Sequence, residues 1–284
     1  MRPIASLNAQ PRKRFAQHWL RSEAVLDRIV EAAAIVDGDR LLEIGPGTGI
    51  LTQRLLEEAR SLVAVEIDRD LCKRLVKRWG NCDNFLLLQG DILSLDLDAC
   101  LEAFPRFKNP NKVVANIPYN ITGPLLESLL GKISSPRTPP YESLVLLVQK
   151  EVGHRLTAGP HSKTFGALSV RMQYLAQCQL ICDVPAKAFS PPPKVDSAVV
   201  RLTPFKNRQA QGQIVASDPR KLATLVKLGF ASRRKMLRNN LKGSIDCAQL
   251  TPLLEQLEID PNARAEQLSV EQWVALSNQL VDAV

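Results

Sequence analysis

The sequence predicts an α/β fold: a doubly wound sheet of parallel βαβ units running to about residue 205, and a small all-helical C-terminal domain after it. Apolar runs of strand length alternate with segments of helical spacing. The first of these runs passes directly into a glycine loop. Beyond Pro204 only helical patterns remain.

Taken in chain order, the strand candidates are RLLEI (40 to 44), LVAVEI (62 to 67), FLLLQ (85 to 89), KVVAN (112 to 116) and SLVLLVQ (143 to 149). Between them, Leu51, Leu55 and Leu56, and then Leu71, Leu75 and Val76, recur at helical spacing. Two later strands are expected around 173 to 183 and 197 to 203, at the end of the sheet as a close antiparallel pair. They are joined by FSPPPKVDS (189 to 197), which is too stiff and too poor in backbone donors to be helical. Ser217-Asp218-Pro219 then offers a capping residue followed by proline at the first helical position. The expected domains are therefore 1–205 and 206–284.

At 284 residues the chain is long enough to bury about 75% of its unfolded surface without covalent staples. Its six cysteines, Cys72, Cys82, Cys100, Cys178, Cys182 and Cys247, form no CxxC pair and no cluster at zinc spacing, so packed, reduced thiols and no metal are expected. The N-terminus lacks an apolar leader core, and no apolar stretch approaches membrane-spanning length. The expectation is a cytoplasmic monomer with no membrane partner.

The net charge is +8, and its distribution says more than its size. From Lys206 to Gly243 ten basic residues face the single acid Asp218, whereas after Gly243 Arg264 stands alone against seven acids. The densest part is Arg233, Arg234, Lys235 and Arg238, where helical spacing would put Arg234 and Arg238 on one face, with Phe230, Met236, Leu237 and Leu241 packed behind. A second basic knot is Arg12-Lys13-Arg14. Two separated basic patches favour a long anionic ligand over a merely solvated surface.

Polar groups gather at four successive strand ends. The first strand runs into Gly45-Pro46-Gly47-Thr48-Gly49, spaced G-x-G-x-G rather than the G-x-G-x-x-G of dinucleotide binders. The second ends in Glu66-Ile67-Asp68, where an acid can grasp ribose hydroxyls, and the third in Gly90-Asp91-Ile92. The fourth stops abruptly at Asn116-Ile117-Pro118-Tyr119-Asn120. In open α/β sheets that edge is where ligands bind.

A glycine loop with a ribose-binding acid fits nicotinamide dinucleotides and S-adenosylmethionine alike; Asn116 to Tyr119 discriminates. An aryl exocyclic amine is a poor nucleophile because its lone pair is delocalised into the ring. Two neutral acceptors for its hydrogens, the Asn116 side-chain oxygen and the Ile117 carbonyl, favour the pyramidal nitrogen that attacks a methyl group. Pro118 biases Ile117 toward an extended conformation, and Tyr119 offers a ring for a base to stack on.

LEIGPGTGILT, AVEID, QGDIL, NIPYN, FSPPPKVDSAVVRL and ASRRKMLRNNL, in that order over nearly the whole chain, closely resemble the small-subunit ribosomal RNA adenine dimethyltransferases, the kasugamycin-sensitivity family. The resemblance implies a Rossmann-like S-adenosylmethionine-dependent methyltransferase domain with a small all-helical C-terminal domain. It also implies methyl transfer to N6 of two adjacent adenosines in the hairpin near the 3′ end of 16S rRNA, with the small ribosomal subunit as partner and a role in its biogenesis. Gln17-His18-Trp19-Leu20 matches the segment that closes over the methionine end of the cofactor, and His18 and Trp19 stand where Asn and Phe are usual. Cofactor contacts are implied for His18, Leu20, Gly45, Gly47, Glu66, Ile67, Asp91, Ile92 and Asn116. Asn116 to Tyr119 match the catalytic motif, and Phe189 matches an aromatic that sandwiches the target base opposite Tyr119. His154 and His161 receive no role. Two rival readings stay open: a large-subunit RNA methyltransferase of the antibiotic-resistance type, and a ribosome-assembly or transcription factor that keeps the fold without the reaction.

Overall fold

The computed structural model describes residues 17–245 and 247–280. A seven-stranded sheet runs in the order Phe85–Gln89, Ser61–Glu66, Arg40–Ile44, Lys112–Asn116, Ser143–Gln149, Ser197–Pro204 and Ala176–Val184. The first five are mutually parallel, and Ser197–Pro204 runs antiparallel to Ser143–Gln149. All seven expected strands are present within a few residues of their expected ends, and the two late ones are neighbours at the sheet's edge. Chain order reverses between Arg40–Ile44 and Lys112–Asn116, so the crevice beyond their C-terminal ends is the topological switch point.

The strands are apolar because both of their faces are covered. Ser61–Glu66 is buried at every position, as expected of a parallel strand between helical layers. Helix Arg69–Trp79 starts at Asp68, whose Oδ1 accepts the Asp70 N–H at 3.0 Å, and buries Leu71, Cys72, Leu75 and Trp79 on one stripe. Helix Ile50–Glu58 starts at Gly49, which has φ 79° and where a Cβ would come within 2.3 Å of Trp79. The third glycine of the loop therefore serves helix packing.

The chain groups into two compact units, one holding Met1–Ser128, Tyr141–Gly153 and Leu180–Leu202, the other Leu129–Pro140, His154–Gln179 and Thr203–Val284. The second draws on two segments before residue 205, so the expected boundary marks the end of the sheet rather than the edge of a contact unit. Charge divides along the same line. The first unit carries twenty-one Lys and Arg against twenty-one Asp and Glu, the second sixteen against eight, so the entire +8 belongs to the second.

Within the second unit Trp273 is fully buried, stacks on Phe230 at 5.6 Å and sits over Gly229. Helix Pro219–Gly229 begins as expected, with Asp218 Oδ1 accepting from the Arg220 and Lys221 amides. The basic run corrects the sequence reading. Arg233, Arg234 and Lys235 lie in a turn, and the helix is only Leu237–Leu241. Asn240 Nδ2 donates to the Gly229 carbonyl at 2.6 Å and the Ser232 carbonyl at 2.9 Å, while the Leu237 amide bonds to Ala263. These bonds satisfy the backbone in a bent form and stop the helix from running through 233. Arg233 is also committed: Nη2 donates to the Lys163 carbonyl at 2.5 Å, and Nε lies 3.7 Å from Glu266. Arg234 and Lys235 are exposed, Arg238 is half-buried, Leu237 and Leu241 are buried, and Phe230 and Met236 are half-buried. Arg12, Lys13 and Arg14 lie outside the described residues.

Candidate active site

Beyond the C-terminal ends of four parallel strands lies a cavity of about 310 Å³, within the size range of small-molecule sites. Gly45 and Gly47 line one wall with φ 69° and 59°, conformations that glycine adopts without strain. Glu66, at the end of Ser61–Glu66, joins that loop to the neighbouring turn: Oε2 accepts the Gly47 N–H at 3.0 Å and Oε1 the Asp68 N–H at 2.9 Å. Burial raises the Glu66 carboxyl above its ordinary pKa, the two backbone bonds oppose that rise, and the Asp68 charge adds to it. Further hydroxyl donors arriving from a ligand would favour the ionised form.

Asp91 lies at the third strand end, its Oδ1 accepting the Leu93 N–H at 3.0 Å, while Ile67 and Ile92 supply apolar wall between it and Glu66. The fourth strand contributes Asn116. Its Nδ2 donates to the His18 carbonyl at 3.3 Å, which leaves Oδ1 as the amide's acceptor. Ile117, Pro118 and Tyr119 complete that side.

Tyr119 is held at two points. Its hydroxyl bonds to Ser197 Oγ at 2.7 Å, and the His18 ring lies against its face, centroids 6.0 Å apart and planes 20° from parallel. Burial raises the Tyr119 pKa, the Ser197 bond opposes this and the Asp196 charge adds to it, so the phenol keeps its proton at neutral pH. His18 Nδ1 also bonds to the Pro191 carbonyl at 2.8 Å, and Trp19–Leu20 pairs with Phe189–Ser190 in a short antiparallel ribbon.

Of the expected residues, His18, Gly45, Gly47, Glu66, Ile67, Asp91, Ile92 and Asn116 to Tyr119 all meet at this cavity. Leu20 and Phe189 do not line it. They face each other across the ribbon, 3% and 4% exposed, and their side chains belong to the apolar core. What stands against Tyr119 is His18. Sequence reasoning left Gln17, Trp19 and Ser197 without individual roles. Gln17 Nε2 donates to Asp68 Oδ2 at 3.2 Å, which ties the start of the described chain to the turn after Glu66. The Trp19 indole would be the first contact of any side chain placed at Gly47. For Ser197 the one sequence signal is a hydroxyl immediately before the apolar run Ala198 to Val200.

These groups fit S-adenosylmethionine: a buried carboxylate with free acceptor capacity for ribose hydroxyls, apolar walls beside Asp91 for adenine, and glycines that admit close backbone approach. Among the described residues no group of three or more His, Cys, Asp or Glu is placed to hold a metal ion, and no helix is long and apolar enough to cross a membrane. Fold and site together define a Rossmann-like, S-adenosylmethionine-dependent methyltransferase. The chain belongs to the ribosomal RNA adenine dimethylase family, whose family model matches residues 8–282. It is similar to the ribosomal RNA small subunit methyltransferase A of Rippkaea orientalis (strain PCC 8801 / RF-1), 65% identical over 95% of this chain and 98% of the relative. The enzyme of that name from Nostoc sp. (strain PCC 7120 / SAG 25.82 / UTEX 2576) is 64% identical over 95% of this chain and 98% of its own. Among solved structures, a dimethyladenosine transferase from Plasmodium falciparum superposes with TM-score 0.74 at 25% identity, covering 91% of this chain and 96% of that one. The 23S rRNA methyltransferase ErmE does so with TM-score 0.71, also at 25% identity, covering 91% and 98%.

Proposed function

We propose that this protein methylates N6 of two adjacent adenosines in the 3′-terminal hairpin of small-subunit rRNA, as a cytoplasmic monomer acting on the small ribosomal subunit. The observation that carries the chemistry is Asn116, whose amide is oriented by the His18 carbonyl so that a neutral acceptor remains at the edge of the cofactor cavity. The fold by itself does not choose the RNA, because a dimethyladenosine transferase and a 23S rRNA methyltransferase superpose on it about equally well. The two relatives at 65% and 64% identity over 95% of this chain, both named small subunit methyltransferases, favour a small-subunit substrate over a large-subunit one.

When bound, S-adenosylmethionine supplies an electrophilic methyl group on a sulfonium centre. The protein's part is positioning and charge. In the first transfer Asn116 Oδ1 and the Ile117 carbonyl accept the two amine hydrogens and pull the lone pair out of conjugation; in the second the one remaining N–H keeps one of these acceptors. The nitrogen acquires positive charge only as the new N–C bond forms and the methyl's bond to sulfur breaks, leaving the neutral thioether, and these acceptors then stabilise it until a proton passes to water. A neutral amide suffices, since no strong base is needed before the methyl arrives. Tyr119 supplies a stacking face for the flipped base.

The test is methyl transfer to under-methylated small subunits and to large subunits, with the modified nucleosides identified. Dimethyladenosine confined to the small subunit is expected. Modification of the large subunit alone, or of neither, would overturn the proposal.

Two further outcomes bear on cofactor and RNA. Glu66→Gln should weaken S-adenosylmethionine binding by on the order of 1 to 3 kcal/mol, the cost of losing charge-assisted bonds to buried hydroxyls, and leave subunit binding unchanged. Calorimetry giving wild-type cofactor affinity for the folded variant would remove Glu66 from the site. Neutralising Arg234 and Arg238 should weaken subunit binding and flatten its salt dependence by about one unit of log–log slope per lost phosphate contact, with cofactor affinity intact. Arg233 serves as control. Its guanidinium is tied to Lys163, Phe165 and Glu266, so Arg233→Ala is expected to lower thermal stability. A salt titration unchanged in the double variant would leave the RNA to dock elsewhere, with Arg12, Lys13 and Arg14 next to be tested.

A further inference from the structure

Ser197 opens strand Ser197–Pro204 and is fully buried, as are Ala198, Val199 and Val200 after it. A hydroxyl in such surroundings is unfavourable unless bonded, and what Ser197 bonds is the hydroxyl of Tyr119. Its own position is rigid. Ser197 pairs with Gln149 in the sheet, and the residue before it is fixed twice, the Asp196 carbonyl accepting the Lys150 amide at 2.9 Å and Asp196 Oδ1 the Ala186 amide at 2.9 Å. Tyr119 sits less firmly, in a three-residue 3₁₀ turn after Pro118, half-buried at the cavity wall. The sheet thus reaches across to hold the far end of a ring that its own loop does not fix.

We propose that Ser197 is a positioning residue for the reaction: its Oγ pins the Tyr119 phenol so that the ring stands as the stacking face for the target adenine. This rests on the functional reading above. An aromatic ring on a short turn swings about two side-chain torsions, and fixing its outermost atom removes most of that freedom. A stacked base follows the plane it stacks on, so the amine is aimed only as well as the ring is held. Misplacement of a reacting group by ~1 Å costs on the order of 10² in rate.

A purely structural role predicts something different. If the bond served only to satisfy two buried hydroxyls, Tyr119→Phe together with Ser197→Ala would remove both polar groups and restore stability and turnover alike. Under the positioning role the double variant regains stability and not turnover, because the ring is present but unpinned.

The experiment compares Ser197→Ala, Tyr119→Phe, the double variant and Tyr119→Ala on under-methylated small subunits, following single-turnover rate, cofactor affinity and thermal midpoint. Ser197→Ala and Tyr119→Phe should each lower the rate roughly 10-fold, within the 10² that a ~1 Å displacement costs, with cofactor affinity unchanged. The double variant should be no slower than either single variant and as stable as the wild type. Wild-type turnover in Ser197→Ala, or recovered turnover in the double variant, overturns the positioning role. If Tyr119→Ala also methylates at the wild-type rate, the placement of the target base at Tyr119 fails with it; an impaired Tyr119→Ala beside an unimpaired Ser197→Ala removes only Ser197.

Discussion

Asn116→Ala should lower the single-turnover rate of methyl transfer by about 10² to 10³, or ~3 to 4 kcal/mol in the barrier, as removal of one preorganised polar group does elsewhere. The loss falls on chemistry rather than on binding. Asn116 stands at the end of a strand whose preceding residues are fully or nearly fully buried, so its backbone cannot shift to compensate. Its amide nitrogen is spent on the His18 carbonyl, and the oxygen is therefore presented without a search over rotamers. Small-subunit affinity should stay near the wild-type value, because Asn116 carries no charge to hold a phosphate and phosphate contacts dominate the positioning of RNA. Asn116→Asp is the sharper variant. It keeps the volume but replaces the donor to His18 with a second oxygen, so two acceptors face each other and the carboxylate turns away. Equal rates for wild type and Asn116→Ala at saturating substrate would end the assignment.

The sheet was legible in the sequence because parallel strands buried on both faces have to be apolar along their whole length, as Leu62 to Val65 and Leu144 to Val148 are. The strand-end groups were legible for a related reason: polar residues closing such runs have few places to point except the crevice. The bent form of 230 to 236 was not legible. A run such as Ser-Arg-Arg-Lys-Met is compatible with helix, and what stops it is the distant Asn240 side chain together with the Ala263 carbonyl, partners that no local pattern reveals.

The same limit applies to Phe189 and His18. Motif position put Phe189 opposite Tyr119, but whether an aromatic faces a cavity or the core depends on strand pairing, and here the register with Leu20 turns it inward. His18 then takes the exposed face. Ser197 carries the reverse lesson, since a small hydroxyl at the head of a strand reads as a minor irregularity until Tyr119 is seen 2.7 Å away. Glu43 shows how burial can change a residue's chemistry outright: by sequence it is one more acid beside the glycine loop.

Glu43 should make the protein less stable as pH rises through neutrality. It lies at 1% exposure in the central strand, opposite Ala64 on one side and Val114 on the other. Neither carboxyl oxygen makes a hydrogen bond of good geometry, and the polar groups that face it are the hydroxyl and amide of buried Thr52. Burial pushes its pKa from 4.5 up to about 8; Thr52 offsets this in part, and the Glu66 charge adds to it. Between those values the folded protein holds a proton that the unfolded chain releases. The contribution to stability is therefore complete below about pH 4.5, declines as pH rises, and is fully lost above about pH 8. At about 1.4 kcal/mol per pH unit, the swing between pH 5 and pH 8 is on the order of 4 kcal/mol. Glu43→Gln has no proton to release, so its unfolding free energy should gain on the wild type by that order across the interval. The absolute offset at pH 5 is a separate matter, because the amide brings a buried donor of its own at a cost of about 1 to 3 kcal/mol. Urea unfolding of both proteins at several pH values isolates the slope, in which the other titrating groups largely cancel. Parallel stability curves from pH 5 to pH 8 would mean that Glu43 is ionised in the folded protein, with Thr52 holding the carboxylate.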